Sequence, residues 1–165
     1  MSIAYRSCAI SSWVSGTTVT ATMPAGVTDG DVLLMSVYAH YSGSAPTITD
    51  PAGWTLLTSA NGGAYDLQKV YWRVASSEPG SYAITVSDGS VGRGAIAAFS
   101  GADTTQPASA QYGAQYNASS TNSVAPALGS WGSTNGIDVG FFDAFSTATG
   151  WTPPTNYTEP TGGDA

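Results

Sequence analysis

The fold is decided by the stretch Pro24-Ala-Gly-Val-Thr-Asp-Gly-Asp-Val-Leu-Leu-Met35, which is followed by Pro51-Ala-Gly-Trp54-Thr55. A related series returns later in the chain as Ser133-Thr-Asn-Gly-Ile-Asp-Val-Gly-Phe-Phe142 and Pro153-Pro-Thr-Asn-Tyr157-Thr158. In both copies a glycine turn opens an apolar strand. A polar loop follows, and then a proline-led turn precedes an aromatic residue and a threonine. The pattern predicts an internal duplication.

Alternation with a period of two predicts strands in much of the chain. Residues 17–23 place Val19, Ala21 and Met23 on one face and threonines on the other. Residues 32–39 are apolar on both faces, as in a central strand. In residues 68–75 the alternation places Val70, Trp72 and Val74 inward and Lys69, Tyr71 and Arg73 outward. With turn signals about every ten residues, we expect an all-β fold, an antiparallel β-sandwich of jelly-roll type.

The chain has 165 residues, which suits a single domain. We expect a first half over residues 1–103, a linker over 104–109 and a second half over 110–165. Three strand signals follow the first copy of the repeat, whereas only the glycine-rich residues 158–165 follow the second. The second half is therefore expected to be incomplete, to be completed from outside residues 1–165, and to make this fragment oligomeric or poorly soluble. The predicted core comprises Val32, Leu34, Trp54, Val70, Trp72, Ile84, Val86, Ile96, Val139 and Phe141.

The charge balance excludes several classes of partner. The net charge is −7 with only four basic residues, so no basic surface for nucleic acid or for an anionic membrane can form. Cys8 is the only cysteine, which rules out an intrachain disulfide and favours a buried strand residue over a reactive thiol. No apolar run reaches membrane-spanning length, and no signal peptide is evident. We therefore expect synthesis in a cytoplasm.

An ordered series of short motifs resembles a β-sandwich module of tailed-bacteriophage virion proteins, found in minor tail proteins, tail fibres and head-decoration proteins. The resemblance covers residues 1–160. It is carried by Ile3-Ala-Tyr-Arg-Ser7, Pro24-Ala-Gly-Val27, Gly30-Asp-Val-Leu-Leu34, Pro51-Ala-Gly-Trp-Thr-Leu-Leu57, Tyr71-Trp-Arg-Val-Ala75, Glu78-Pro79, Ser81-Tyr82 and Gly94-Ala-Ile-Ala-Ala-Phe-Ser-Gly-Ala-Asp103. It implies a location in the virion, a structural or adhesive role, contacts with capsid or tail subunits, and homo-oligomers. It transfers no catalytic residues.

The residues with catalytic potential favour a non-enzymatic protein without cofactor or metal. His40 is the only histidine, and a Ser–His–Asp arrangement with Asp31 or Asp50 is formally available. There is no Gly-x-Ser-x-Gly motif, and most acidic residues lie in turns, where they bind local backbone. Asp29-Gly30-Asp31 offers clustered carboxylates for Ca²⁺, but does not match the twelve-residue calcium loop. Solvated turn acids are the favoured interpretation.

Loop aromatics suggest an alternative function. Exposed aromatic rings can stack on sugars, and loops are where such rings are displayed. The sequence offers Tyr41, Trp131, Trp151 and Tyr157 as candidate glycan-binding residues. Structural packing of these rings is the competing interpretation. A carbohydrate-binding module for host adsorption, or one attached to a secreted hydrolase, is thus the alternative to a virion structural protein, and an autonomous enzyme is the third.

Overall fold

A computed structural model describes residues 2–105, 136, 137 and 139–141. Within these residues the chain forms six β-strands, all of whose pairings are antiparallel, and no helix. The all-β prediction is confirmed for this part of the chain. The strands are β1 (Ala4–Ile10), β2 (Val14–Thr22), β3 (Val32–His40), β4 (Thr55–Asn61), β5 (Asp66–Val74) and β6 (Ser81–Ser100).

The strands form a single sheet in the order β1-β6-β3-β5-β4, with β2 also paired to β6. β6 is 20 residues long and is bordered by two strands on one side. β1 pairs with its C-terminal part, from Ala95 to Ser100, and β2 pairs with its earlier part, from Ser81 to Gly92. β3 pairs with residues 91–99 of β6 on the other side.

The long ribbon of β2 and β6 curls over the rest of the sheet. Gly92 and Gly94 lie where the side chains of β2 pack against the later part of β6, and neither has space for a side chain. A Cβ on Gly94 would stand 2.8 Å from the Ala21 Cβ, and one on Gly92 would stand 2.9 Å from Val19 Cγ2. Glycine at these two positions therefore permits β2 to approach the sheet closely.

The core fills the concave inner face of this curled sheet. β3 contributes Leu33, Met35, Val37 and Ala39, each fully buried. The loop before β4 covers this face, because Ile48 is buried and pairs with Val86. The predictions for β2, for the central β3 and for the inward Ile84 and Val86 are confirmed. The core cluster comprises Val19, Ala21, Leu33, Met35, Val37, Ala39, Ile48, Trp54, Tyr71, Ala75, Ile84, Val86, Ile96 and Ala98.

The prediction for β5 is wrong in its choice of face. Tyr71 is fully buried in the core, whereas Val70, Trp72 and Val74 are only half-buried on the opposite face. The long side chains of Lys69, Tyr71 and Arg73 bury their stems and carry their polar ends to partners at the margin of the core. The alternation correctly predicts a strand, but the polarity of the side chains predicted the wrong buried face for β5.

The convex outer face carries the remaining predicted core residues of β3 and β5. Val32 is buried there, but Leu34, Val70 and Trp72 are half-buried. Val139 is 39% exposed, so its assignment to the core is wrong, and Phe141 is half-buried. The apolar strand expected in the second copy of the repeat is absent at the four of its residues that the structure describes after Gly136, namely 137 and 139–141. Gly136 precedes these positions and Gly140 lies among them, and glycine weakens a strand.

Candidate functional site

A polar and aromatic group of side chains lies at one end of the outer face, which we call the outer-face cluster: Trp13, Tyr38, His40, Tyr65, Asp66 and Arg93. At its centre is the Asp66 carboxylate. Asp66 lies opposite His40 in the β3–β5 register, which brings the two side chains together. The Tyr38 hydroxyl donates a hydrogen bond to Asp66 Oδ1, and His40 Nδ1 lies 2.8 Å from the same oxygen. Both contacts fall on Oδ1, so Oδ2 receives no hydrogen bond from the described residues.

Aromatic rings flank this centre on two sides. The Trp13 indole meets the Tyr38 ring edge-to-face at 5.7 Å between centroids, and the Arg93 guanidinium stacks over the indole at 4.9 Å. On the β5 side the Tyr65 ring lies 6.5 Å from the imidazole of His40. Trp13 is 37% exposed and Tyr65 is 48% exposed, so both rings present surface to solvent.

A second polar link lies beside the cluster on the same face. Gln68 Nε2 donates to Ser36 Oγ at 3.0 Å and to the Phe141 carbonyl oxygen at 3.5 Å. A side chain of β5 therefore contacts the backbone of a segment 73 residues later in the chain. At Gln68 the outer face of the sheet is therefore in contact with the segment around Phe141.

The geometry bears on the serine hydrolase alternative. The acid beside His40 is Asp66, and neither Asp31 nor Asp50 fills that place. An aspartate at Nδ1 is the orienting half of a triad, but a triad also needs a nucleophile in reach of the imidazole. The structure places Asp66 Oδ1 at His40 Nδ1, and His40 has further contacts. The contact between His40 and Asp66 links β3 to β5.

Asp31 is held in a buried ion pair. Arg6 Nε lies 2.6 Å from Asp31 Oδ2, and the Thr28 backbone N–H donates to the same oxygen at 2.9 Å. Burial by itself would raise the pKa of Asp31, but the bonds from Arg6 and Thr28 hold that pKa below its usual value. This carboxylate ties β1 to the turn before β3.

Asp50 serves the inner face in the same way. Lys69 Nζ lies 2.7 Å from Asp50 Oδ1, the Tyr71 hydroxyl donates to that oxygen at 2.9 Å, and Lys69 also donates to the Ile48 carbonyl oxygen. The hydrogen bonds from Lys69 and Tyr71 lower the pKa of Asp50. Burial, together with the bond to this carboxylate, raises the pKa of Tyr71. The group fastens the loop around Ile48 over the core.

Arg73 anchors a third group, at the other end of the inner face. Its guanidinium donates to the Tyr82 hydroxyl at 2.8 Å, pairs with Glu78 at 3.1 Å and stacks over the Trp54 ring. Burial, and then the bond from the Tyr82 hydroxyl to Glu78, raise the pKa of Tyr82 to about 12. Trp54 Nε1 and Arg73 Nε are buried here without a hydrogen-bond partner.

The two acids considered for calcium serve separate partners. Asp29 Oδ1 accepts the Ser77 backbone N–H at 2.7 Å, while Asp31 faces Arg6. In the described part of the chain, no group of three or more His, Cys, Asp or Glu side chains is placed to hold a metal ion. The same residues contain no helix long and apolar enough to cross a membrane.

Of the four predicted glycan-binding residues the structure describes Tyr41, whereas Trp131, Trp151 and Tyr157 lie outside the described residues. Tyr41 is half-buried, and its ring packs so closely on Gly43 and Gly89 that neither glycine has room for a Cβ. Its backbone N–H donates to the Tyr65 carbonyl oxygen at 2.9 Å. The Tyr41 ring therefore packs against its own loop and the glycine of β6.

Sequence reasoning missed the residues of the outer-face cluster other than His40. The shared parity of Tyr38 and His40 in β3 placed them on one face and was a usable signal. The contact with Asp66 depends on the direct pairing of β3 with β5, between which β4 lies in the sequence, and the sequence does not reveal this pairing. Comparison of the chain with protein-family models, with curated proteins and with solved structures gives no match.

Proposed function

We propose that the chain is a non-enzymatic structural component of a bacteriophage virion, in the head decoration or in the tail. The observation that carries this proposal is the use of every basic side chain of the chain in structural contacts. Arg6, Lys69 and Arg73 each pair with an acid from another part of the fold, and Arg93 stacks on Trp13. These contacts engage the four cations within the fold, and β2 presents a face of exposed, uncharged threonines.

Such a surface suits repeated packing against neighbouring subunits. Neutral hydroxyl-bearing faces can approach each other without the repulsion that a chain of net charge −7 would otherwise experience. The resemblance to virion modules in the motifs of residues 3–103 points to the same role. The partners proposed are capsid or tail subunits and further copies of this chain.

We also propose that the curled sheet is one layer of a jelly-roll sandwich. The support is the outer face, where Leu34, Val70 and Trp72 are half-buried and Gln68 contacts the Phe141 carbonyl oxygen. A sheet with apolar side chains on both faces requires cover on both. The second half of the internal duplication is the source of cover that this proposal assigns.

Quantitative mass spectrometry tests the virion assignment on gradient-purified particles of the phage that encodes the chain. We expect the protein in the particles at a fixed ratio to the major capsid or tail protein. Its presence in the lysate but not in purified particles would overturn the proposal. The position of the gene then separates the two locations, since neighbouring capsid genes indicate decoration and a neighbouring tape-measure gene indicates the tail.

Carbohydrate binding during host adsorption is the second candidate function. It is favoured by the two exposed rings, Trp13 and Tyr65, beside the Asp66 carboxylate. Binding of the full chain to a glycan array would support it. The two candidates are compatible, because a virion protein can also bind the host surface.

A further inference from the structure

We propose that the outer-face cluster is a binding site for a neutral saccharide, with Tyr65, Asp66 and Trp13 as the contacting residues. This inference rests on the second candidate function and moves its site from the loop aromatics to the end of the sheet. The argument uses three properties of the cluster: a directed acceptor, two solvent-facing rings and local charge balance.

The acceptor is Asp66 Oδ2. The Tyr38 hydroxyl and His40 Nδ1 both contact Oδ1, which restrains the carboxylate and leaves Oδ2 without a hydrogen bond from the described residues. The Asp66 side chain is 17% exposed, which is enough for a ligand hydroxyl to reach it. A hydrogen bond from a neutral donor to a fixed carboxylate is stronger than one between neutral groups. Tyr38 and His40 are therefore positioning residues.

The rings supply apolar contact on either side of this acceptor. Trp13, from the β1–β2 connection, contacts Arg93 and Tyr38, and Tyr65, directly before β5, lies beside His40. The C–H faces of a pyranose ring pack against aromatic faces while its hydroxyls bind polar groups. Large rings with a few placed polar groups are the usual composition of small-ligand sites.

The charge of the cluster selects the ligand class. Asp66 and Arg93 carry opposite charges on the same face, so neither an anion nor a cation gains a net attraction within the cluster. The chain as a whole, at −7, disfavours anions such as nucleotides. Hydroxyl groups both donate and accept, and a neutral sugar meets the carboxylate and the rings without a charge penalty.

Titration of the full chain with four neutral probes tests the site: maltotriose, lactose, chitotriose and mannobiose. The readout is the ¹H–¹⁵N spectrum of the tryptophan indoles, with the Trp13 signal assigned from Trp13→Phe. Because weak lectin-type sites have dissociation constants in the millimolar range, each probe is carried to about 10 mM. At least one probe should shift the Trp13 indole signal.

Tyr65→Ala should weaken that binding about tenfold through loss of the ring contact, and Asp66→Asn should weaken it about as much through loss of the charged acceptor. Tyr5→Ala is the matched control, since Tyr5 is 40% exposed and lies opposite Phe99, away from the cluster. It should leave the affinity unchanged. Thermal melts establish that each variant is folded.

Two results would overturn the proposal in different ways. Binding of a probe that Tyr65→Ala and Asp66→Asn both leave intact would place the saccharide elsewhere on the chain, so that the binding function stands and the site fails. A shift of another tryptophan indole with no response of Trp13 would remove the site but leave the carbohydrate function, and no response of any indole to any probe would remove both. The virion assignment is read from purified particles and is independent of both results.

Discussion

Gly94→Ala is the sharpest test of the curled sheet. Gly94 is buried in β6, and an added Cβ would stand 2.8 Å from the Ala21 Cβ, 3.0 Å from its Cα and 3.3 Å from its backbone N. Carbon atoms in contact prefer about 3.5–4.0 Å. All three neighbours belong to Ala21, which has no rotamer to change, so β2 itself must move away from the sheet.

The expected cost combines two terms. Overpacking of a rigid site costs about 1–3 kcal/mol, and the absence of a movable side chain favours the upper end. Replacing glycine also reduces the freedom of the unfolded chain, which offsets about 0.4–1 kcal/mol. A net loss of about 2 kcal/mol lowers the melting temperature by about 6 °C for a chain of this length.

Urea unfolding followed by tryptophan fluorescence measures this loss, with Gly80→Ala as the matched control. Nothing lies within 4 Å of a Cβ at Gly80, which is exposed in the turn before β6, so this variant shows the unfolded-state term alone. We expect Gly80→Ala to equal or slightly exceed the wild-type stability. An unfolding midpoint of Gly94→Ala at or above that of Gly80→Ala would refute the close approach of β2.

Three further predictions concern β5 and the buried ionisable groups. Tyr71→Ala should cost about 3–5 kcal/mol in urea unfolding because Tyr71 is fully buried, and Trp72→Ala should cost less because Trp72 is half-buried; the reverse order would restore the face predicted from sequence. Tyr71→Phe keeps the ring but removes the bond to Asp50, and the loss should be about 1.5 kcal/mol; an unchanged midpoint would show that this bond adds nothing. Folding lowers the pKa values of Asp31 and Asp50, so these two carboxylates stabilise the fold above about pH 4, and their contribution is lost as the pH falls below it. Folding raises the pKa values of Tyr71 and Tyr82, so these two hydroxyls stabilise the fold below about pH 10, and their contribution is lost as the pH rises further. Melting temperatures recorded from pH 2 to pH 12 should fall at both ends, and a flat acid limb would contradict the carboxylate contacts.

The sequence predicted best the strands in which one face is clearly apolar and the other clearly polar. β2 alternates small apolar residues with threonine, and its buried side followed directly. β5 alternates two sets of large side chains, and Lys69 and Arg73 made one set look solvent-facing. Their partners, Asp50 and Glu78, lie in separate loops, so the burial of that face depends on tertiary contacts that periodicity does not contain.

The site was less predictable than the fold for a related reason. His40 was noticed as the only histidine, and its acid was sought among Asp31 and Asp50. The acid in contact is Asp66, whose position follows from the register of two strands separated by about 25 residues of loop and edge strand. Trp13 reaches the same place through the β1–β2 junction. Such convergence of distant segments follows only from the arrangement of strands in the sheet.

The position of β6 has a consequence for synthesis of the chain on the ribosome. β3, β4 and β5 are consecutive and can pair as soon as residue 74 has emerged. β1 and β2 have no partner in the described sheet except β6, which ends at Ser100. β1 and β2 are therefore unpaired until β6 has been synthesised, and during this interval their backbone N–H and C=O groups can pair with other nascent chains. Slowing translation between codons 75 and 100 should prolong this vulnerable interval and increase aggregation during expression.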